Sequence, residues 1–178
     1  MTSPYSPAAR HLHWLIALMV VAQFVVSLLM PDIHNDTPPE AVIELHFTLG
    51  LLIVLLMAVR LWVRLRNPVE PAANPGRPLE RVVMVLTHRL FYAVLLLVPF
   101  LGWISASAHN LPVLFLGVLP LPALAPGGAE WGHQLGDVHG LVMWTLLGLI
   151  GLHAAAALFH HLVRHDDTLR RMLPGKDG

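Results

Sequence analysis

The sequence contains no cysteine, and that absence removes several chemistries at once. Without thiols there are no disulfides, no iron–sulfur clusters, no thiolate-ligated haem and no covalent haem attachment through C-x-x-C-H. Charge is scarce as well: 12% of the 178 residues are charged against 56% hydrophobic, and eleven basic residues balance eleven acidic ones. A chain of this kind offers no overall basic surface to nucleic acid. With a mean hydropathy of +0.64 it is also too apolar for an ordinary soluble domain of its size. None of its four long apolar runs holds Asp or Glu in its interior, which argues against a histidine-lined metal transporter.

What the chain has instead is four apolar runs and twelve histidines. The runs predict an all-α transmembrane four-helix bundle forming a single membrane domain over 1–178, with helices over approximately 11–30, 45–65, 79–105 and 137–163. Thr37-Pro38-Pro39 separates the first two, and Pro68, Pro71, Pro75 and Pro78 mark a linker before the third, which carries a kink at Pro99. The first run ends without a small-residue cleavage motif and reads as an uncleaved helix. The connection 106–136 is cut by Pro112, Pro120, Pro122 and Pro126 into pieces too short to cross a bilayer, and is expected to lie along the membrane surface.

Four crossings put every basic residue on one side: Arg10, Arg60, Arg64, Arg66, Arg77, Arg81, Arg89, Arg164, Arg170, Arg171 and Lys176. By the positive-inside bias both termini are cytoplasmic.

The organising stretch is Asp137 to His161, with His139 and His153 fourteen residues apart. At ~3.6 residues per turn and ~1.5 Å per residue they stand ~21 Å apart on nearly one face. One metal ion cannot bind both, but in a hydrocarbon layer ~30 Å thick they lie near opposite surfaces. This spacing suggests one axial ligand for each of two stacked haems, and a bis-imidazole iron needs a second histidine at each depth. Topology supplies them: His46 opens the second helix at the outer depth and His13 opens the first at the inner one. The expected pairs are His46 with His139 and His13 with His153. His88 is the strongest rival for the inner position, and His11 competes locally with His13. His160 and His161 are secondary candidates, for a haem propionate or a quinone oxygen in the case of His160, or as interfacial residues at the headgroups. His34, His109 and His133 fall in outer connections. Asp137 or Glu44 is a candidate acceptor for the second N–H of an outer ligand ring, although a role as a solvated acid at a helix N-terminus is the stronger expectation for both. Gly140, Gly148 and Gly151 are candidates for close approach of a porphyrin, or for ordinary helix contacts. No residue is assigned a catalytic role.

These residues resemble a known family. H-L-H-W-L-I-A-L in the first helix, E-L-H-F-T-L-G in the second, T-H-R-L-F-Y with V-P-F-L-G-W in the third, and H-G-L-V-M-W through G-L-H-A-A-A-A-L-F-H-H in the fourth are similar to the bacterial cytochrome b561 family. The similarity runs from about residue 5 to residue 174 and includes the tail D-D-T-L-R-R-M-L-P. The resemblance implies two non-covalent haem b groups in the bacterial inner membrane, their irons ligated at His13, His46, His139 and His153. It implies oxidation of superoxide at the periplasmic face with electrons passed to ubiquinone. In other members of the family the cytochrome serves as the membrane anchor and electron relay of a partner dehydrogenase or hydrogenase. This chain departs from what an anionic substrate favours, because its outer connections carry no Lys or Arg but do carry Asp32, Asp36, Glu40, Glu44, Glu130 and Asp137.

Overall fold

The computed structural model describes residues 5–35, 37–68 and 78–173. Asp36, Pro71, Pro75, Arg77, Pro174 and Lys176, named above, lie outside the described residues. Four long helices make up the molecule: α1 (Pro7–Leu28), α2 (Ala41–Arg66), α3 (Pro78–Ala108) and α4 (Glu130–Leu162). All four are long and apolar enough to cross a membrane, and the protein is an all-α, multi-pass membrane bundle. α1 starts four residues earlier than expected, because Ser6 caps it. The Ser6 hydroxyl accepts the Ala9 N–H at 3.3 Å, and Pro7 at the first turn loses no hydrogen bond. α2 is launched after Pro38-Pro39, with Glu44 in its first turn and Arg64 and Arg66 in its last, each complementing the helix dipole.

The largest departure from expectation is the start of α4, at Glu130 rather than near Asp137, with α3 running on to Ala108. The connection is therefore 109–129, not 106–136. Two glycines one turn apart explain the difference. A side chain on Gly132 would stand 2.6 Å from the Ala108 Cβ, and one on Gly136 would stand 2.4 Å from the Ser105 hydroxyl. Small residues at this spacing let two helix backbones close up, and that packing outweighs glycine's poor helix propensity.

Neighbouring helices pack in order, α1 on α2, α2 on α3 and α3 on α4, while α4 stands off from α1 and α2. Consistent with that, the only buried residues of α4 are Gly132 and Leu146. Ile16 and Val20 of α1 meet Ile53 and Met57 of α2 in a small core, with Tyr92, Leu95 and Leu96 of α3 and Ile150 of α4 against it. At one end of the bundle the start of α1 meets the segment after α4, hereafter the terminal end; the other is the loop end.

The proline-rich connection folds back over the loop end, where Leu111 and Val113 pack with Ala106 against Phe47, Leu51 and Trp103. A short hairpin, β1 (Leu114–Phe115) paired antiparallel with β2 (Leu119–Pro120), turns through Leu116, Gly117 and Val118, the first two at positive φ. Its tip is tethered to α2 by the Leu116 N–H donating to the buried Thr48 hydroxyl at 3.2 Å. The Trp103 indole N–H donates to the Pro122 carbonyl at 3.1 Å, and the Ser107 hydroxyl accepts the Leu124 N–H at 3.0 Å. These bonds satisfy backbone groups that the prolines leave without a ladder partner.

Candidate haem sites between α4 and its neighbours

Four histidines reach into the gap that α4 leaves, two at each end. At the loop end the His46 ring of α2 faces the His139 ring of α4 with centres 6.2 Å apart. At the terminal end His13 of α1 faces His153 of α4 at 6.3 Å. A metal–imidazole bond is ~2 Å and the bonding nitrogen lies about 1.1 Å from its ring centre, so two imidazoles on opposite sides of one metal hold their centres ~6 Å apart. Both pairs stand at that separation. Among the described residues no three His, Asp or Glu converge on one point, so a bare multi-ligand metal site is not what these histidines build.

The loop-end pair lines an apolar slot with about 700 Å³ of space not filled by atoms, partly open to the outside. Val20, Gly50, Val98, Gly102, Met143 and Leu146 contribute to its walls. Gly102 is what lets His139 lie against α3, since a Cβ there would stand 3.1 Å from the ring. So placed, His139 Nδ1 donates to the Val98 carbonyl at 3.1 Å. A carbonyl can only accept, so Nδ1 bears the proton and the Nε2 lone pair is left for a metal. The acceptor is thus an α3 carbonyl, not Asp137 or Glu44 as the sequence suggested. An apolar slot with two opposed imidazoles, one already fixed in the metal-binding tautomer, fits a flat iron porphyrin. His46 Nδ1 is buried without a hydrogen-bond partner, as is the Gln23 carbonyl oxygen nearby.

Gln23 escaped the sequence reading. It is 7% exposed, its amide donates to the His46 carbonyl at 3.1 Å, and it faces the slot across Gly50. The available signal was a lone amide in an otherwise apolar helix, which is expensive in a bilayer unless it has work to do. Gly140, Gly148 and Gly151, by contrast, have no neighbouring atom within 4 Å of an added Cβ. The glycines that line the slot are Gly50 and Gly102, on α2 and α3.

At the terminal end His153 has a second imidazole neighbour. His88 of α3 lies 5.6 Å away, nearly perpendicular, with Phe91 at 5.3 Å. His88 Nδ1 donates to the Met84 carbonyl one turn back at 2.7 Å, so its Nε2 is free in the same sense as that of His139. Geometry alone therefore admits His13 or His88 opposite His153, with the His13 spacing matching the loop-end pair. α2 pins α1 beside His13: Arg60 donates to the Ala9 carbonyl at 2.6 Å. The segment after α4 folds against the same end, where Met172 accepts the Trp14 indole N–H at 2.8 Å. His160 donates to Asp166. Partial burial pushes the Asp166 carboxyl up, but hydrogen bonds from His160 and Thr168 outweigh it and hold it down at about 2. Arg164 grips Glu80 of α3 with two bonds of 2.7 and 2.8 Å, a planar fork on a carboxylate.

A second cavity, with about 560 Å³ of space not filled by atoms on the same measure, lies beneath the connecting segment, bounded by Ser107, Asn110, Leu121 and Gly127. It shares Trp103 and Val113 with the slot.

Comparison with known proteins agrees with this architecture. A family described as prokaryotic cytochrome b561 matches residues 4–175. The chain is 29% identical over 171 residues to cytochrome b561 homolog 2 of Escherichia coli, covering 95% of this chain and 90% of that one. It is 28% identical over 178 residues, the full length of both chains, to a Yersinia pestis protein named probable superoxide oxidase CybB. It is 29% identical over 168 residues to cytochrome b562 of Cereibacter sphaeroides, covering 91% and 90%. The chain belongs to the prokaryotic cytochrome b561 family, whose members carry electrons in membranes on b-type haem.

Proposed function

We propose that the protein holds two haem b groups, one between His46 and His139 and one between His13 and His153, and moves electrons across the bacterial inner membrane. The observation that carries this reading is the pair of imidazole couples at matching separations of 6.2 and 6.3 Å, one at each end of α4. Haem supplies a one-electron iron couple, and two histidine ligands leave no open coordination position, which suits electron transfer rather than oxygen binding. The chain's own part is to set spacing, fix the His139 tautomer through Val98, and keep water from the slot with Leu146, Met143 and Val98.

The loop end is periplasmic and both termini cytoplasmic, because the arginines gather at the terminal end. The electron donor is a small periplasmic one-electron reductant, superoxide in the first instance, and the acceptor is ubiquinone in the bilayer. Superoxide gives one electron and leaves as dioxygen; two such events and two protons make one quinol. The name of the Yersinia relative and the open cavity beside Trp103 support a small-molecule donor.

A second reading rests on the loop-end charge. With Asp32, Glu40, Glu44, Glu130 and Asp137 there and no Lys or Arg, an anion gains no steering, and a basic partner protein would. On that reading the protein is the haem-bearing membrane anchor or relay of a dehydrogenase or hydrogenase. The test is haem content and a reduced-minus-oxidised spectrum on detergent-purified protein, before and after superoxide and then a quinone. Two low-spin b haems reduced by superoxide and reoxidised by quinone support the first reading. Two haems indifferent to superoxide support the second, and no haem refutes both.

A further inference from the structure

A third histidine couple stands outside the haem sites. His109, just past the end of α3, and His133, in the first turn of α4, have ring centres 4.2 Å apart with planes tilted by 35°. Their closeness follows from the tight packing of Gly132 on Ala108, which brings the two helix ends together. Each ring has one nitrogen committed to a carbonyl. His109 Nδ1 donates to Ser105 at 2.8 Å, and His133 Nε2 donates to Ala108 at 3.2 Å. Because both partners are carbonyls, both committed nitrogens carry the proton, and the nitrogens left over for a metal are His109 Nε2 and His133 Nδ1. Two imidazoles, each oriented by a backbone carbonyl that takes one ring N–H, form the supporting arrangement typical of metal-bound histidine.

The separation distinguishes this couple from the other two. Imidazoles on opposite sides of a metal hold their centres ~6 Å apart, whereas two at a right angle on one metal hold them ~4.5 Å apart by the same arithmetic. The 4.2 Å couple sits near the second figure and is too close to admit a haem iron between its rings. We propose that His109 and His133 form a cis-bidentate site for a divalent transition-metal ion, best suited to Cu²⁺, at the loop end of the bundle. A right-angled imidazole pair matches tetragonal copper, and copper also leads the divalent series in affinity for nitrogen ligands. Among the described residues no third His, Asp or Glu joins them, so water completes the coordination.

The test uses tag-free, haem-loaded protein titrated with Cu²⁺ and followed by electron paramagnetic resonance and by metal analysis after desalting. The expected result is one tightly held Cu²⁺ per chain whose spectrum shows coupling to two imidazole nitrogens. His109→Gln and His133→Gln should each weaken binding at least tenfold and reduce the coupling to one nitrogen, with the haem spectrum unchanged as proof of folding. Asn110→Ala, beside the couple, should leave copper binding intact. Native-like copper binding in both histidine variants, or a native spectrum without nitrogen coupling, overturns the proposal. The outcome does not depend on which electron donor the haems serve.

Discussion

Replacing Gly102 by alanine puts a methyl carbon 3.1 Å from the His139 ring carbon and 3.2 Å from its Nδ1. Carbon atoms settle at ~3.5–4.0 Å, so the ring must retreat by about half an ångström. The bond from Nδ1 to Val98 starts at 3.1 Å, and the same retreat carries it beyond hydrogen-bonding range. Overpacking of this kind costs ~1–3 kcal/mol, and the lost hydrogen bond about 1 kcal/mol net. At ~1.4 kcal/mol per factor of ten, the sum of ~2–4 kcal/mol weakens haem retention at the loop-end site roughly 30- to 700-fold. The terminal-end site lies on the far side of the Ile16–Ile53–Met57 core and is left alone. The assay is haem per chain by extraction, with a redox titration that resolves the two haems. Gly102→Ala should move toward one haem per chain, or hold a second one at a shifted potential. Gly102→Val, with two more carbons at the same place, should complete the loss. Two haems at native potentials in both variants would refute the argument that Gly102 makes room for the ligand ring.

Three further outcomes follow from the geometry. His153→Ala should leave one haem per chain by the same extraction, while His88→Ala keeps two; the reverse result would assign the terminal-end iron to His88 and His13. Gly132→Val drives a side chain into the Ala108 Cβ from 2.6 Å and should lower the thermal midpoint by separating α3 from α4, an overpacking cost of ~1–3 kcal/mol or more, read by the melting of helical circular dichroism. Asp166, held down at about 2, contributes stability that is full above the ordinary carboxylate range and fades as pH falls toward about 2. Being partly exposed, its share is ~0–1 kcal/mol, so Asp166→Asn should slightly lower the midpoint at pH 7 and flatten its decline between pH 4 and pH 2.

The crossings and their number were legible because a bilayer imposes a length on apolar runs that few other contexts do. The depth of each histidine followed from the same count, and the structure brings together the couples expected from it, His46 with His139 and His13 with His153. What escaped were features set by contact rather than period. The first turns of α4 looked like loop because Gly132 and Gly136 are weak helix formers, and only the facing Ala108 and Ser105 reveal why a helix tolerates them. The acceptor for His139 was invisible for a related reason: Val98 contributes a backbone carbonyl, and every residue has one. The hairpin over the loop end depends on positive φ at Leu116, which leucine does not advertise. His88 remains the case where sequence and geometry leave the same two choices, since both it and His13 face His153.

The placement of both His139 and His153 on α4 makes that helix a ruler. Inserting a single residue between them turns one ring ~100° away from its partner, and no adjustment elsewhere restores both couples, because α1 and α2 hold the opposite rings independently. Four inserted residues come nearly full circle but lengthen the span by ~6 Å, more than a side chain can take up. Segment 110–129, by contrast, lies between neither His139 and His153 nor their facing histidines, so a change of length there leaves the α4 spacing unaltered. A graft of other loops onto the four helices keeps the spacing of His139 and His153; a change of one residue between them does not.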